Sequence, residues 1–462
     1  MKVSLGKKVS ILAIAFLSPW LMNAQDKITP FEVSLEEAIE IALSDNPTIK
    51  IADQEIKRVD YSKKTAWGAL LPTLSASGQL THFTIAGKIF QMGNELDIPT
   101  KYQLKAGLSL QLPIIVPALW KSIQMSNLDM QLASEKARAS KITLRNEVTK
   151  AYYNLLLAQD SYIVLQDGYS LAEENYKQAK KRFEAGITAE YDYISAEVQM
   201  TNLQPQILQV ENGIAQAKLY LKVLMGVEMS IELAVQGNLS DFENEVFGPN
   251  DNRNIDLSNN TDLKQVDIQY QQLDKAISIQ NTNHLPTLVG FGSYGYTASP
   301  SRDMNLIFGA DPDATPPNPG MPVTMKGQSA KMLNDGLILG LQLNIPIFSG
   351  MSNVYKTKQL KIQAQELKIQ RDYAEKQLNV AALTSRDNMG KAVKQMDAAK
   401  KAVSLAQKSY DISAKRYETG VGIMIELQNA ALAVTQSQLS YQQAISDYLT
   451  AKADYEKITG QQ

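Results

Sequence analysis

The chain has 462 residues, 44% of them hydrophobic, a formal net charge of -2, two histidines and no cysteine. Its length allows two or more core-forming units. The lack of basic excess argues against a nucleic-acid binder. The lack of thiols excludes cysteine catalysis, zinc–thiolate sites and iron–sulfur clusters.

The opening stretch MKVSLGKKVSILAIAFLSPWLMNAQ places Lys2, Lys7 and Lys8 ahead of an apolar run from Val9 to Leu17 and a cleavage site at Met22-Asn23-Ala24. Residues 1–24 are therefore expected to be an export signal. No later apolar window reaches the roughly 20 residues that a spanning helix needs. Any membrane crossing by the mature chain must then be made by strands.

SLEEAIEIALSDNP at 34–47 opens a helix with a capping box, Ser34 and Glu37, and the helical pattern, interrupted at Pro47, runs on to about Gly68. Strands are expected at about 73–83 and 102–113. In the second, Tyr102, Leu104, Ala106, Leu108, Leu110 and Leu112 alternate with polar or glycine residues, the period of a sheet with one apolar face. From about 118 to 185 there is no proline, one glycine, and an apolar seam every seven residues, including Ile123, Ala137, Leu144, Ala151, Leu165 and Ala179. Sustained heptads predict a supercoiled helix roughly 100 Å long. RFEAG at 182–186 ends it, and a shorter helix reaches about Met225.

Residues 227–258 are polar and rich in Asn, Asp and Gly, and are expected to be a linker or equatorial segment. Beyond them the order restarts. A helix from about 261 leads to strands at about 287–297 and 336–347, then to a long helix at about 351–418. RYETG at 416–420 precedes a final shorter helix. Residues 174–226 and 408–460 align without a gap. The chain thus reads as two structural repeats, 25–226 and 259–462, mostly α with a β-barrel portion.

Each repeat supplies two strands with an apolar face of bilayer-crossing length. A sheet in lipid must close on itself, and four strands cannot enclose a lumen, so several copies are expected to complete one barrel; three would give twelve strands. Catalytic signatures are lacking: the sequence holds no GxxxxGK loop, no GxSxG elbow and no HExxH helix. The contrasting reading is an exported helical scaffold or adaptor protein of the cell envelope without a pore.

SLEEAIEIALSDNP, the two LPTL phrases, GLSLQLPI, GLQLNIPIFSG, RFEAGITAEYDYISAE and RYETGVGIMIELQNA, in that tandem order, resemble the TolC family of outer-membrane efflux channels. The resemblance spans nearly the whole mature chain. It implies a homotrimer in outer-membrane lipid, with a 12-stranded barrel above a 12-helix periplasmic tunnel, serving a tripartite efflux or type I secretion system. It further implies a periplasmic adaptor (membrane fusion) protein, an inner-membrane RND or ABC transporter, and no cofactor, metal or catalytic residue. By match, Arg182, Gly186, Ile187, Arg416, Gly420 and Val421 are similar to the adaptor-docking turns. Asp192, Glu426 and Asn429 stand at the family's periplasmic gate and selectivity positions, where rings of carboxylates favour cations. Asn429 replaces an acid there, and Gly422 a basic residue, that some members carry.

Overall fold

The computed structural model describes residues 31–85, 102–246, 255–298 and 334–461, residue 315, and four short strands; the export signal expected at 1–24 lies outside the described residues. The first half comprises β1 (Phe31–Val33), α1 (Leu35–Asp45), α2 (Pro47–Gly68), β2 (Thr73–His82), β3 (Lys88–Gln91), β4 (Asn94–Asp97), β5 (Tyr102–Ile115), α3 (Pro117–Glu184) and α4 (Glu190–Met225). Then come β6 (Leu233–Val235), a 3-10 turn (Leu239–Phe242) and α5 (Glu243–Val246). The second half comprises α6 (Thr261–Thr282), β7 (Thr287–Ala298), β8 (Met304–Phe308), β9 (Met321–Met325), β10 (Asn334–Asn344), α7 (Ser352–Glu418) and α8 (Met424–Thr459).

The helices start where side chains can replace their missing backbone partners. Ser34 Oγ accepts from the Glu37 N–H, and Glu37 in turn accepts from the Ser34 N–H at 2.8 Å, closing the capping box at α1. A pair of asparagines does more. Asn46 Oδ1 caps the Thr48 N–H at the start of α2, while its Nδ2 donates to the Leu224 carbonyl near the end of α4. Asn260 repeats the arrangement in the second half, capping Asp262 and Leu263 and donating to the Ile458 carbonyl. Both asparagines are buried, and each ties the end of a 36-residue helix to the start of a 22-residue one.

Four strands form one antiparallel sheet in the order β10-β7-β5-β2, with β5 and β7 joining the two halves. The register sorts side chains by chemistry, because neighbours along a strand point to opposite faces. One face carries Leu74, Leu108, Leu110, Leu339 and Leu341, all exposed. On the other face Ser75, Ser109 and Ser293 lie in one row, with the Ser75 and Ser109 hydroxyls 2.7 Å apart. β2 and β10 are the two bare edges.

From this sheet α3 and α7 run out for 68 and 67 residues, roughly 100 Å each. The main core lies midway along them, where α1, α3, α4 and α8 meet around Tyr152, Leu155, Leu156, Leu221, Met225 and Leu449. The Tyr152 hydroxyl donates to the Gln236 carbonyl at 2.8 Å and the Val33 carbonyl at 3.2 Å, pinning the parallel β1–β6 pair to α3. The part of that stretch described by the structure next to α4, residues 227–246, therefore packs against the shaft. Asp160 on α3, 6% exposed, accepts the Leu239 N–H, and Glu243 of α5 takes an ion pair from Lys400 and a 2.7 Å hydrogen bond from Tyr441.

Candidate functional site at the helical tip

At the far ends of the shafts the chain reverses twice, at Ala185–Ala189 and Thr419–Ile423. Both reversals are built alike. The Gly186 N–H donates to the Phe183 carbonyl and the Ile187 N–H to the Arg182 carbonyl; Gly420 and Val421 bond in the same way to Tyr417 and Arg416. This pairing needs a left-handed residue just past the helix. Gly186 has φ +72° and Gly420 φ +80°, which glycine adopts without steric cost. A Cβ at either would meet nothing within 4 Å, so backbone conformation is what calls for glycine there.

Beneath the turns the four helices lock through a small core of Ala179, Ala196, Tyr417, Met424 and Leu427. Arg182 completes it. Its guanidinium donates to the Tyr417 and Glu418 carbonyls at the C-terminus of α7 and lies over the Tyr417 ring, 4.7 Å from its centroid. A cation at a helix C-terminus also meets the negative end of the helix dipole. Tyr417 is 2% exposed; burial pushes its hydroxyl pKa up, against a lowering by Arg182.

The other residues singled out in the sequence divide into two groups. Ile187 and Val421 are 66% and 73% exposed at the outermost point, beside exposed Tyr191 and Ile423, so the tip presents apolar side chains to its surroundings. Glu426, in the first turn of α8, pairs with Arg416 at 3.3 Å. Asp192 occupies the matching first turn of α4, and its charge acts on Tyr417. Asn429 is exposed one turn beyond Glu426. Sequence reasoning passed over Ser195 and Gln428. The Ser195 hydroxyl donates to Gln428 Oε1 at 2.9 Å, linking α4 to α8, a contact between residues 233 positions apart.

Among the described residues no helix is long and apolar enough to cross a membrane, and no His/Cys/Asp/Glu cluster is suited to a metal ion. The described structure thus has a sheet with a leucine-rich face at one end of the long helices and exposed apolar residues on the turns at the other.

The family model described as outer membrane efflux protein matches the chain twice, at residues 38–227 and 254–461. The chain belongs to that family. It is an outer-membrane transport channel protein, and the family is not one of enzymes. The outer membrane protein TolC of Vibrio cholerae is 21% identical over 360 residues, 77% of this chain and 76% of that protein. The fold is similar to the Campylobacter jejuni CmeC outer membrane channel, at TM-score 0.72 and 17% identity over 92% of this chain and 85% of that one. The Vibrio cholerae outer membrane protein VceC gives TM-score 0.70 at 14% identity, over 92% of this chain and 96% of that one.

Proposed function

We propose that three copies of the chain close a twelve-stranded barrel in the outer membrane and a continuous twelve-helix tunnel in the periplasm. The assembly is a passive conduit of a tripartite efflux or type I secretion system, charged through a periplasmic adaptor by an inner-membrane pump. The observation that carries this reading is the four-stranded sheet, with a leucine-rich face, a row of serines on the opposite face and two bare edges. In lipid, bare edges leave backbone N–H and C=O groups unsatisfied, which costs several kcal/mol per group. Pairing β2 of one copy with β10 of the next removes that cost and puts the serine row inside the barrel. A pore-free scaffold has no use for such a sheet.

At the other end, the exposed apolar pair Ile187 and Val421, on turns set by Gly186 and Gly420, offers the adaptor its contact, framed by Arg182 and Arg416. Asp192 and Glu426, repeated by each copy, line the tunnel mouth with negative charge, and Asn429 extends the lining as a neutral polar position. Purified protein in planar bilayers should conduct with cation preference. Glu426→Ala should weaken that preference by reducing the ring of charge. Absence of any conductance refutes the conduit; unchanged selectivity in the variant refutes the role of Glu426.

A further inference from the structure

Of Asp, Glu, Lys and Arg, the four strands of the large sheet carry only Lys105 on β5 and Asp335 on β10. The two stand on opposite faces. Asp335 pairs with Tyr296 on the leucine-rich face, near the end of β10 remote from the helices. Lys105 stands on the serine face, level with Gln79 on β2 and Thr297 on β7. Among the described strand residues, no acid shares that face. The next row toward the helices is Ser77, Gly107, Gly295 and Gly336. Nothing longer than a serine therefore stands beside the exposed Lys105 on that side.

A lysine turned toward lipid is strongly destabilising, whereas one turned into a wet lumen costs little. The side chain thus belongs inside the barrel, with the serines. Only the first half supplies it. GLSLQLPI from Gly107 and GLQLNIPIFSG from Gly340 align glycine on glycine, which puts Ile338 where the first half has Lys105. Each copy brings one cation to the wall, and three copies bring three to a single level.

We infer that Lys105 forms an anion-attracting ring in the outer half of the barrel, a site for multivalent carboxylates. This rests on the three-copy conduit reading and adds to it a selectivity element opposite in sign to the tip. Distance keeps the two signs apart. The 68 residues of α3 span roughly 100 Å, about ten Debye lengths at 0.1 M salt. The carboxylates of Asp192 and Glu426 therefore leave the ammonium groups unneutralised. Rings of lysine draw anions as rings of carboxylate draw cations. The Gln79 amide and the Thr297 hydroxyl, in the same row, offer neutral donors to a bound carboxylate. A trivalent anion interacts with all three ammonium groups through three charges, so it is held more tightly than chloride.

The test is citrate block of full-length protein in planar bilayers at low salt, where the ring is least screened. Protein added to one chamber leaves its helices there, so the far chamber faces the barrel. Citrate in the far chamber should reduce the current, and should act more weakly from the near chamber, where it meets the tip carboxylates first. The half-blocking concentration should rise several-fold in Lys105→Gln and stay close to wild type in Lys105→Arg. Equal block of wild type and Lys105→Gln, loss of block in Lys105→Arg, or no block of a conducting wild type overturns the ring and leaves the conduit standing. Absence of any conductance removes both.

Discussion

α3 and α7 are the same element written twice, 68 and 67 residues between a sheet and a glycine turn, yet α3 buries 21 residues and α7 only five. Composition does not explain the gap, since both carry apolar and alanine seams at seven-residue spacing. Neighbourhood does. α3 is flanked along its length by α1, α2, α4, α6 and α8, while the extended packing of α7 is on α6 and α8. A duplicated sequence fixes a helix and its seam, but burial of that seam depends on what lies alongside. The emptier copy marks the side that the proposed assembly would cover.

The largest test of this contrast is truncation in equivalent seams. Leu155 is fully buried, and Leu155→Ala should cost about 2–5 kcal/mol in unfolding free energy. Its α7 counterpart Met389 is partly buried, and Met389→Ala should cost under about 2 kcal/mol in denaturant titrations of the detergent-solubilised protein. Equal losses would break the comparison.

Next come the matched arginines. Arg182→Ala strips two charge-assisted hydrogen bonds from the last turn of α7 and should weaken protection there by about 1.5–3 kcal/mol, read by amide hydrogen exchange. Arg416 forms a half-exposed ion pair, so Arg416→Ala should change exchange by no more than about 1 kcal/mol.

Where the halves are truly alike, the effects should match. Asn46→Ala and Asn260→Ala should each cost roughly 1–2 kcal/mol, in equal measure, by the same titrations.

The smallest effect is on pH dependence, at the two anchors of the segment at 227–246. The hydrogen bonds from Lys400 and Tyr441 hold the Glu243 pKa down, so its contribution is present above the unfolded carboxylate range and is lost as pH falls through the folded value. Burial raises the Asp160 pKa, so that site favours the fold at low pH and loses stability as pH rises through its folded value. Unfolding midpoints against pH should therefore show less acid loss for Glu243→Gln. Asp160→Asn should show less loss on the rising side. Shifts of the same sign in both would refute the assignment.

Much of the fold was legible because its signals are local. Ser34 and Glu37 lie three residues apart, the heptad seams are periodic, and Gly186 and Gly420 follow helices they must terminate. What escaped was made by distant chain. Arg182 could be seen as part of a turn phrase, but not as the cap of a helix 235 residues away. Asn46 lies at the break marked by Pro47 and Asn260 just before the helix expected from about 261, but the carbonyls they reach on α4 and α8 lie 178 and 198 positions off. The 227–258 stretch looked like a linker by composition; its hold on the shaft comes from single contacts at Tyr152, Asp160 and Glu243.

The central claim is that one chain is a third of a conduit. The mass of the protein particle in mild detergent, with the detergent's share subtracted, tests it most directly. The account predicts three copies per particle; a single stable copy would contradict it.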